Sequence, residues 1–267
     1  MSKVVLITGA SSGIGKSIAQ YLVNQSYIVY GTSRNPKNAI IDGVHMLPLD
    51  VTKPETISVA ITTLIEKENR IDYLINNAGM GITGPLEETP DAESKRVFET
   101  NFFGALEVIK AVLPSMRTQR SGMILNITSI AGYMGLPYRG VYSATKGALA
   151  IITEAYRMEL KEFNVKMTTV APGDFATNIA AGRYHAPLLD DSPYKKNYKN
   201  TLELMNAHVD DGMDPSIMAK AVYRVMKKKN PKVHYRIGYF MQRFSIVLKR
   251  ALPDTWYEKL LLNHYKL

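Results

Sequence analysis

The chain has 267 residues, of which 46% are hydrophobic and 21% are charged, and it contains no cysteine, which excludes disulfides and thiolate metal sites. Its five histidines are scattered without ligand spacing, so we expect no metal. The net charge of +9 is concentrated in residues 227–267, where ten Lys and Arg side chains face two acids. No motif of a nucleic-acid-binding module accompanies this segment, and we expect no nucleic-acid partner.

Short β-rich runs alternate with helix-like stretches, which is typical of a parallel sheet covered on both faces. The predicted strands are residues 4–8, 27–33, 44–50, 71–76, 123–129, 165–171 and 232–237. The predicted helices lie near residues 14–24, 53–69, 91–119, 142–163 and 215–229. We therefore predict an α/β, doubly wound parallel sheet of the Rossmann type with about seven strands.

The first strand ends in the glycine-rich turn Thr8-Gly-Ala-Ser-Ser-Gly-Ile-Gly15, and a helix follows at once. Glycines let the backbone approach a phosphate, and the helix N-terminus presents free N–H groups to the anion. This setting between strand and helix predicts a dinucleotide-binding turn. The expected cofactor contacts here are Gly9, Ser11, Ser12, Gly13, Ile14 and Gly15.

The end of the second strand indicates which dinucleotide is bound. An acid there would accept hydrogen bonds from the ribose of NAD, but the sequence reads Tyr30-Gly-Thr-Ser-Arg-Asn35. Ser33 and Arg34 offer a hydroxyl and a cation to a 2′-phosphate. We predict NADP(H) in preference to NAD(H); a solvated loop arginine is the alternative interpretation of Arg34.

Tyr142 and Lys146 lie four residues apart on a predicted helix, so their side chains leave from one face. A cation beside a phenol stabilises the phenolate, and such a tyrosine exchanges a proton with a ketone or alcohol oxygen. The same spacing is common on ordinary amphipathic helices. The pair therefore becomes a catalytic hypothesis only through the rest of the sequence.

Together these motifs resemble the short-chain dehydrogenase/reductase family in its single-domain form, from Val4 to about Gly238. Asn76-Asn-Ala-Gly79 matches the family's motif after the fourth strand, and Asp50-Val51 resembles its adenine-contacting pair. Pro172-Gly173 and Thr177 resemble the nicotinamide-side segment. The resemblance adds to the cofactor contacts Asp50, Val51, Asn77, Ala78, Gly79, Tyr142, Lys146, Pro172, Gly173 and Thr177.

By resemblance, Asn101, Ser129, Tyr142 and Lys146 hold the positions of the family's catalytic tetrad. The implied chemistry is hydride transfer between nicotinamide and a carbonyl carbon, with Tyr142 as general acid or base. Ser129 would hold the substrate oxygen, and Lys146 would also bind the nicotinamide ribose. The amide of Asn101 would anchor a water of a proton relay, with a buried structural amide as the alternative. A homo-oligomer, dimer or tetramer, is also implied.

Residues 173–213 are longer than a plain connection, and such loops are usually lids or binding segments. Apolar residues in this segment and before Tyr142 suit a hydrophobic ketone or alcohol. The candidates are Phe175, Ile179, Tyr184, Leu188 and Leu189, with Met134, Leu136 and Tyr138. Ser129, Met134, Tyr138, Phe175 and Ile179 are the predicted substrate contacts. By resemblance, the substrate belongs with those of steroid, retinol and acyl-lipid reductases; packing of the lid onto the core is the alternative.

Residues 239–267 form a predicted basic amphipathic helical tail beyond a single domain over residues 1–238. We favour packing of this tail on its own domain, on a partner subunit or over the active-site mouth, with peripheral membrane contact as the alternative. No apolar run reaches the roughly 18 residues of a membrane span, and the N-terminal run is too short for a signal peptide. We therefore expect a cytoplasmic protein.

Three functions compete. The leading hypothesis is an NADP(H)-dependent carbonyl reductase or alcohol dehydrogenase acting on a lipophilic substrate. The alternatives are a catalytically silent dinucleotide-binding sensor or scaffold, and an enzyme that epimerises or dehydrates sugar nucleotides. The intact tetrad argues against the silent protein, and the short C-terminal part argues against the sugar-nucleotide enzyme.

Overall fold

The computed structural model describes residues 2–177 and 182–267, except for the side chains of residues 208–210. The strands are β1 (Val4–Ile7), β2 (Ile28–Ser33), β3 (Ile40–Ile41), β4 (Val44–Pro48), β5 (Tyr73–Asn76), β6 (Ile82–Thr83), β7 (Gly122–Ile127), β8 (Val165–Pro172), β9 (Tyr184–His185) and β10 (His234–Ile237). The α-helices are α1 (Gly13–Asn24), α2 (Pro54–Glu68), α3 (Asp91–Phe98), α4 (Gly104–Gln119), α5 (Gly140–Glu159), α6 (Lys195–Asp210), α7 (Pro215–Met226), α8 (Phe240–Ala251) and α9 (Asp254–Tyr265).

The main sheet has the strand order β10-β8-β7-β5-β1-β2-β4-β3. All of its pairings are parallel except the edge pairing of β3 with β4. At its centre Leu6 of β1 lies between Tyr30 of β2 and Leu74 of β5. The predicted α/β fold is confirmed. The antiparallel strand β3 was not predicted, because a strand of two residues has no recognisable sequence pattern.

Both faces of the sheet are covered, because alternate residues of one strand point to opposite sides. Val4 and Leu6 belong to the core formed with α2 and α4, whereas Val5 and Ile7 belong to the core formed with α1 and α7. All four are buried. This double burial explains why the strand reads as a continuous apolar run rather than an alternating one.

Two helical segments differ from the prediction. The helix predicted near residues 91–119 is interrupted by a π-helical turn at Glu99–Phe103, between α3 and α4. Helix α6 lies in the predicted lid, where no helix was expected. Its buried residues Tyr198, Thr201 and Met205 have helical spacing, so the signal was present within a polar stretch.

A charged network closes the sheet where β1 and β5 begin. The carboxylate of Asp72 accepts hydrogen bonds from Lys3 Nζ at 2.8 Å, from Arg70 Nε at 2.9 Å and from the main-chain N–H of Val4 at 2.9 Å. Burial alone would raise the pKa of Asp72, but these bonds outweigh it and hold the pKa below its ordinary value. The ion network therefore joins the first strand to its neighbour.

The tail forms α8 and α9, which pack beside the 3₁₀ turn Ile130–Tyr133. Ile246 and Tyr257 are buried in a cluster with Ile130 and Met134. The outer side of the tail exposes the large apolar residues Phe240, Val247 and Trp256. A domain boundary at residue 238 and contact of this outer side with a membrane or another subunit stay predictions. Across the described ranges, no helix combines the length and apolarity that crossing a bilayer requires.

Candidate active site

The glycine turn lies at the carboxyl end of β1, where the chain order of the sheet reverses and open α/β sheets bind their ligands. Gly9 and Gly13 have φ angles of 67° and 53°, which favour glycine. A Cβ at Gly15 would overlap the Gly9 carbonyl oxygen. Ser12 at the start of α1 makes no side-chain capping bond in the described structure, so the helix N-terminus stays available to an anion.

A second turn, after β5, is locked to the glycine turn by hydrogen bonds. Asn77 Nδ2 donates to the carbonyls of Thr8 and Gly9, both at 3.0 Å. Thr8 Oγ1 accepts from the N–H groups of Asn77 and Ala78, also at 3.0 Å. The residues that the sequence placed in two separate motifs therefore form one rigid unit with the backbone of the first strand.

The predicted adenosine side lies at the ends of β2 and β4. Ser33 is partly buried and Arg34 is exposed. The Asp50 carboxylate accepts hydrogen bonds from the N–H of Thr52 at 3.0 Å and its hydroxyl at 2.8 Å. Burial alone would raise the pKa of Asp50, but the bonds from Thr52 and the charge of Arg34 outweigh it and lower the pKa. Val51 is buried beside it.

Ser129 follows β7 and begins the 3₁₀ turn. Its Oγ accepts a hydrogen bond from the N–H of Ala131 at 3.1 Å. A hydroxyl that accepts in this way keeps its own O–H to donate. Ser129 can therefore offer a proton to a substrate oxygen in the cavity that it lines.

Tyr142 and Lys146 lie on α5 and are both buried. Lys146 Nζ is 5.9 Å from the centroid of the Tyr142 ring and donates to the carbonyl of Ile127 at 3.1 Å. Burial lowers the pKa of Lys146, whereas attraction to a Tyr142 phenolate raises it again. The cation is thus held where its charge acts on the phenol, at a cost in desolvation.

Asn101 lies in the π-helical turn, a helix distortion that often marks functional sites. Its Oδ1 accepts from the N–H of Met80 at 2.8 Å, and its Nδ2 donates to the Met80 carbonyl at 2.9 Å and to Thr145 Oγ1 at 3.2 Å. Thr145 in turn donates to the Tyr142 carbonyl at 2.8 Å. Both amide protons are occupied, so the amide positions α5; only a lone pair of Oδ1 is left for a water, and the relay stays a prediction.

The predicted nicotinamide-side segment follows β8. The N–H of Gly173 donates to the Ile237 carbonyl at 2.7 Å. Gln242 of α8 donates from Nε2 to Asp174 Oδ2 at 2.6 Å, and its Oε1 accepts from the N–H of Tyr239 at 3.2 Å. The tail is therefore bonded directly to this segment. Thr177 lies at the glycine turn, with its Cβ 3.4 Å from where a Cβ of Gly13 would be.

A cavity of about 590 Å³ brings two of the four predicted catalytic residues together with part of the predicted substrate side; Asn101 and Lys146 do not line it. Ser129, Tyr142, Met134, Leu136 and Phe175 line it, next to Ile14, Pro172, Gly173 and Thr177. The tail supplies much of its wall, through Met241, Gln242, Ser245, Leu248, Tyr257, Leu260, Leu261, His264 and Tyr265. These tail residues were not among the predicted substrate contacts, because nothing in a terminal amphipathic pattern indicates which surface it covers.

Some predicted substrate residues lie elsewhere. Tyr138 does not line this cavity; its ring packs on Tyr198 with centroids 5.3 Å apart. Leu188 and Leu189 are exposed, and neither they nor Tyr184 line the cavity. Ile179 lies outside the described residues. Conversely, Arg139 and Arg183 line the cavity and were missed, because in the sequence they are isolated loop arginines.

The arrangement fits a bound dinucleotide. An uncapped helix N-terminus and a glycine turn without room for side chains match a phosphate, and the turn is rigidly joined to the Asn77 motif. Ser129 and Tyr142 line the same cavity as Ile14 of the glycine turn, and Lys146 lies beside the Tyr142 ring. This geometry provides a cofactor platform and a proton donor at the edge of one substrate cavity.

Comparisons with known proteins agree with this geometry. The family profile described as short chain dehydrogenase matches residues 3–187. The 3-ketodihydrosphingosine reductase of Bacteroides thetaiotaomicron is 41% identical over 254 residues, covering 95% of this chain and 94% of that protein. A short-chain dehydrogenase structure from Streptomyces avermitilis superposes with a TM-score of 0.84 at 30% identity, covering 100% of this chain and 96% of that chain. The structure of ElxO with NADP bound has a TM-score of 0.73 at 27% identity, covering 89% and 97% respectively.

Proposed function

The chain belongs to the short-chain dehydrogenase/reductase family of NAD(P)-dependent oxidoreductases, and from this premise we propose that it is an NADP(H)-dependent reductase of a lipophilic ketone. The observation that carries the proposal is that two catalytic side chains and an apolar surface line one cavity. Tyr142 and Ser129 line one wall of it, and apolar residues of the 3₁₀ turn and the tail line the others. A proton donor therefore faces a space that suits a hydrophobic substrate.

Each catalytic residue has a separate role in the proposed reaction. When bound, NADP(H) supplies or accepts the hydride, which is chemistry that the protein lacks. Ser129 donates its hydroxyl hydrogen to the substrate oxygen and fixes the carbonyl. Tyr142 gives the oxygen its proton during reduction and removes it during oxidation. Lys146 stabilises the phenolate that reduction leaves behind, and Asn101 holds the helix that carries both residues.

Preference for NADP(H) is supported by the end of β2. The exposed Arg34 follows Ser33, and no acid stands there to repel a 2′-phosphate. The proposed lipid substrate is supported by the 41% identity with a protein named 3-ketodihydrosphingosine reductase. The apolar wall contributed by Met241, Leu248 and Leu260 has the same implication.

The test is oxidation of NADPH and NADH with a panel of ketosteroids, retinal and long-chain ketones that includes 3-ketodihydrosphingosine. We expect turnover with a lipophilic ketone and a kcat/KM at least about tenfold higher with NADPH, since a charge-assisted contact is worth about 1.5–3 kcal/mol. Arg34→Ala should remove most of this preference. Lys37→Ala, which deletes an exposed cation three residues further on, is the matched control.

Two results would count against the proposal. Tight NADPH binding without turnover of any ketone would favour the sensor or scaffold. Equal use of both cofactors by the wild type, or a preference that survives Arg34→Ala, would remove the role given to Arg34.

A further inference from the structure

Two arginines line the cavity beside Tyr142 and have no part in the proposed reaction. Arg139 immediately precedes α5, and its Cζ lies 5.4 Å from the centroid of the Tyr142 ring. Arg183 immediately precedes β9 and lines the same cavity. Neither is expected in a pocket that binds only hydrocarbon, because a guanidinium is costly to remove from water.

The fold places Arg183 there by a specific strand pairing. Tyr184 pairs with Ile82 in the small sheet of β6 and β9, and the Tyr184 N–H donates to the Gly81 carbonyl at 3.0 Å. A Cβ at Gly81 would lie 2.9 Å from Arg183 Cγ, so only glycine leaves room for the arginine stem. The β6–β9 pairing thus fixes the arginine against the wall of the cavity.

Arg183 is buried and under-partnered. Its side chain belongs to a residue only 7% exposed, yet a guanidinium has five N–H donors to satisfy. Its Nη1 reaches Asn206 Oδ1 only at 3.5 Å, the limit of a hydrogen bond. No carboxylate forms an ion pair with it among the side chains that the structure describes, which exclude those of residues 208–210. Burial and the like charge of Arg139 lower the pKa of Arg183, and they outweigh the attraction of Tyr142 and Asp174, which raises it.

The acids of the cavity do not supply that anion by direct contact. Asp174 is attracted to Arg183 from a distance, but its carboxylate accepts the amide of Gln242 at 2.6 Å. Asp211 is exposed at the cavity wall. The Tyr265 phenol, which lines the same cavity, interacts with Arg139 but brings no negative charge to it. Among the described side chains no acid therefore pairs directly with either arginine, and both line the space that a ligand would enter.

We propose that Arg183, assisted by Arg139, binds a carboxylate or phosphate group of the substrate close to the carbonyl that Tyr142 protonates. A guanidinium binds either group through two parallel hydrogen bonds. The apolar wall contributed by the tail would then hold the chain of the same molecule. The substrate is an anionic amphiphile, whose head group differs from that of the amine-bearing ketone named for the 41%-identical relative. This inference rests on the proposed function because it specifies the substrate of that site.

The first test measures binding without turnover. Octyl phosphate should raise the melting temperature of the wild type by about 3 °C more than 1-octanol or octylamine does, because only it can pair with Arg183. In Arg183→Met this difference should vanish. Arg224→Met, which removes an exposed arginine of α7 away from the cavity, should keep it. Equal shifts for the three ligands, or an undiminished difference in Arg183→Met, would overturn the inference.

The second test compares a long-chain 2-oxoalkyl phosphate with the 2-alkanone of equal chain length. We expect the wild type to prefer the phosphate by at least about tenfold in kcat/KM, and Arg183→Met to bring the ratio within about threefold of unity. A preference for the alkanone, or for an amine-bearing ketone, would refute the anionic substrate. If Arg183→Met does not fold, Arg139→Met is measured instead, and an unchanged ratio there refutes the site.

The two proposals fail in different ways. Absence of turnover with every ketone, together with an octyl phosphate shift that depends on Arg183, would refute the reductase and leave the anion site standing. Turnover of neutral ketones without an octyl phosphate shift would refute the anion site alone.

Discussion

At the amino ends of the central strands, the carboxylate of Asp72 is held by Lys3, Arg70 and a main-chain N–H. At the carboxyl ends, Lys146 is equally buried but donates to a single carbonyl that the structure identifies, that of Ile127. Thr32, also at that end, has a buried hydroxyl without a hydrogen-bond partner in the described part of the chain. One end of the sheet satisfies its polar groups internally, whereas the other buries polar groups that have one partner or none in the described structure, at a cost in stability.

The largest expected effect comes from removing the Tyr142 hydroxyl, at the carboxyl ends of the strands. Tyr142→Phe should lower kcat by about 10²–10⁴-fold, the usual contribution of a general acid, while the melting temperature changes little because the ring remains. Steady-state NADPH oxidation with the best ketone and a thermal melt provide the two measurements. Tyr156→Phe, on the same helix but outside the cavity, is the matched control. Turnover that survives Tyr142→Phe would show that another group moves the proton.

An isosteric substitution at the amino ends of the strands should instead lower stability and leave kcat nearly unchanged. Asp72→Asn should lower the free energy of unfolding by about 2 kcal/mol, since charged hydrogen bonds to a buried group are lost while Lys3 and Arg70 stay partly exposed. Its kcat should stay within about twofold of the wild type. Glu107→Gln removes the exposed ion pair with Lys110 and should cost less than about 0.5 kcal/mol.

The pH dependence of Asp72 gives a further check on that variant. Because its folded pKa is lowered, its stabilisation is present above the unfolded value of about 3.9 and is lost as pH falls through the folded value. The wild type should therefore lose more stability than Asp72→Asn on acidification below about pH 4. Parallel acid-unfolding curves for the two proteins would contradict the network described at this end of the sheet.

Of the two buried charges, Lys146 should give the smaller change in stability, and one of opposite sign. Lys146→Met is expected to abolish turnover yet stabilise the cofactor-free protein by about 1–2 kcal/mol, because an apolar chain replaces a buried cation. The folded pKa of Lys146 is lowered, so the unfolded state binds more protons between that value and about 10.4. Wild-type stability should accordingly rise with pH through this window, and the rise should be absent in Lys146→Met. Urea unfolding at several pH values measures the free energy of unfolding of both proteins, with Lys110→Met as the exposed control. If Lys146→Met is less stable than the wild type, the contacts of the buried cation outweigh its cost of desolvation.

Much of the molecule follows from local sequence patterns. The strands around β1 were readable because burial on both faces imposes an apolar run, and the glycine turn because it stands between strand and helix. Tyr142 and Lys146 could be paired because helical spacing alone puts them on one face. In these cases the signal and the structure that it specifies lie within a few residues of one another.

What escaped the sequence depends on contacts between distant segments. Arg183 becomes a cavity residue only through the pairing of β6 with β9, about a hundred residues apart in the chain, and two-residue strands carry no periodicity. Tyr138 was predicted to face the substrate, but its left-handed backbone, with φ of 57°, accompanies a ring packed on Tyr198. The tail showed its amphipathic pattern without showing what it would cover.

The bond from Gln242 of α8 to Asp174 has a thermodynamic consequence. It joins the wall of the substrate cavity to the segment that follows Gly173, so a substrate that displaces α8 also acts on the predicted nicotinamide side. Two ligands that share such a mechanical connection are linked in their binding free energies. Reciprocity then requires that whatever factor the cofactor applies to substrate affinity, the substrate applies to cofactor affinity.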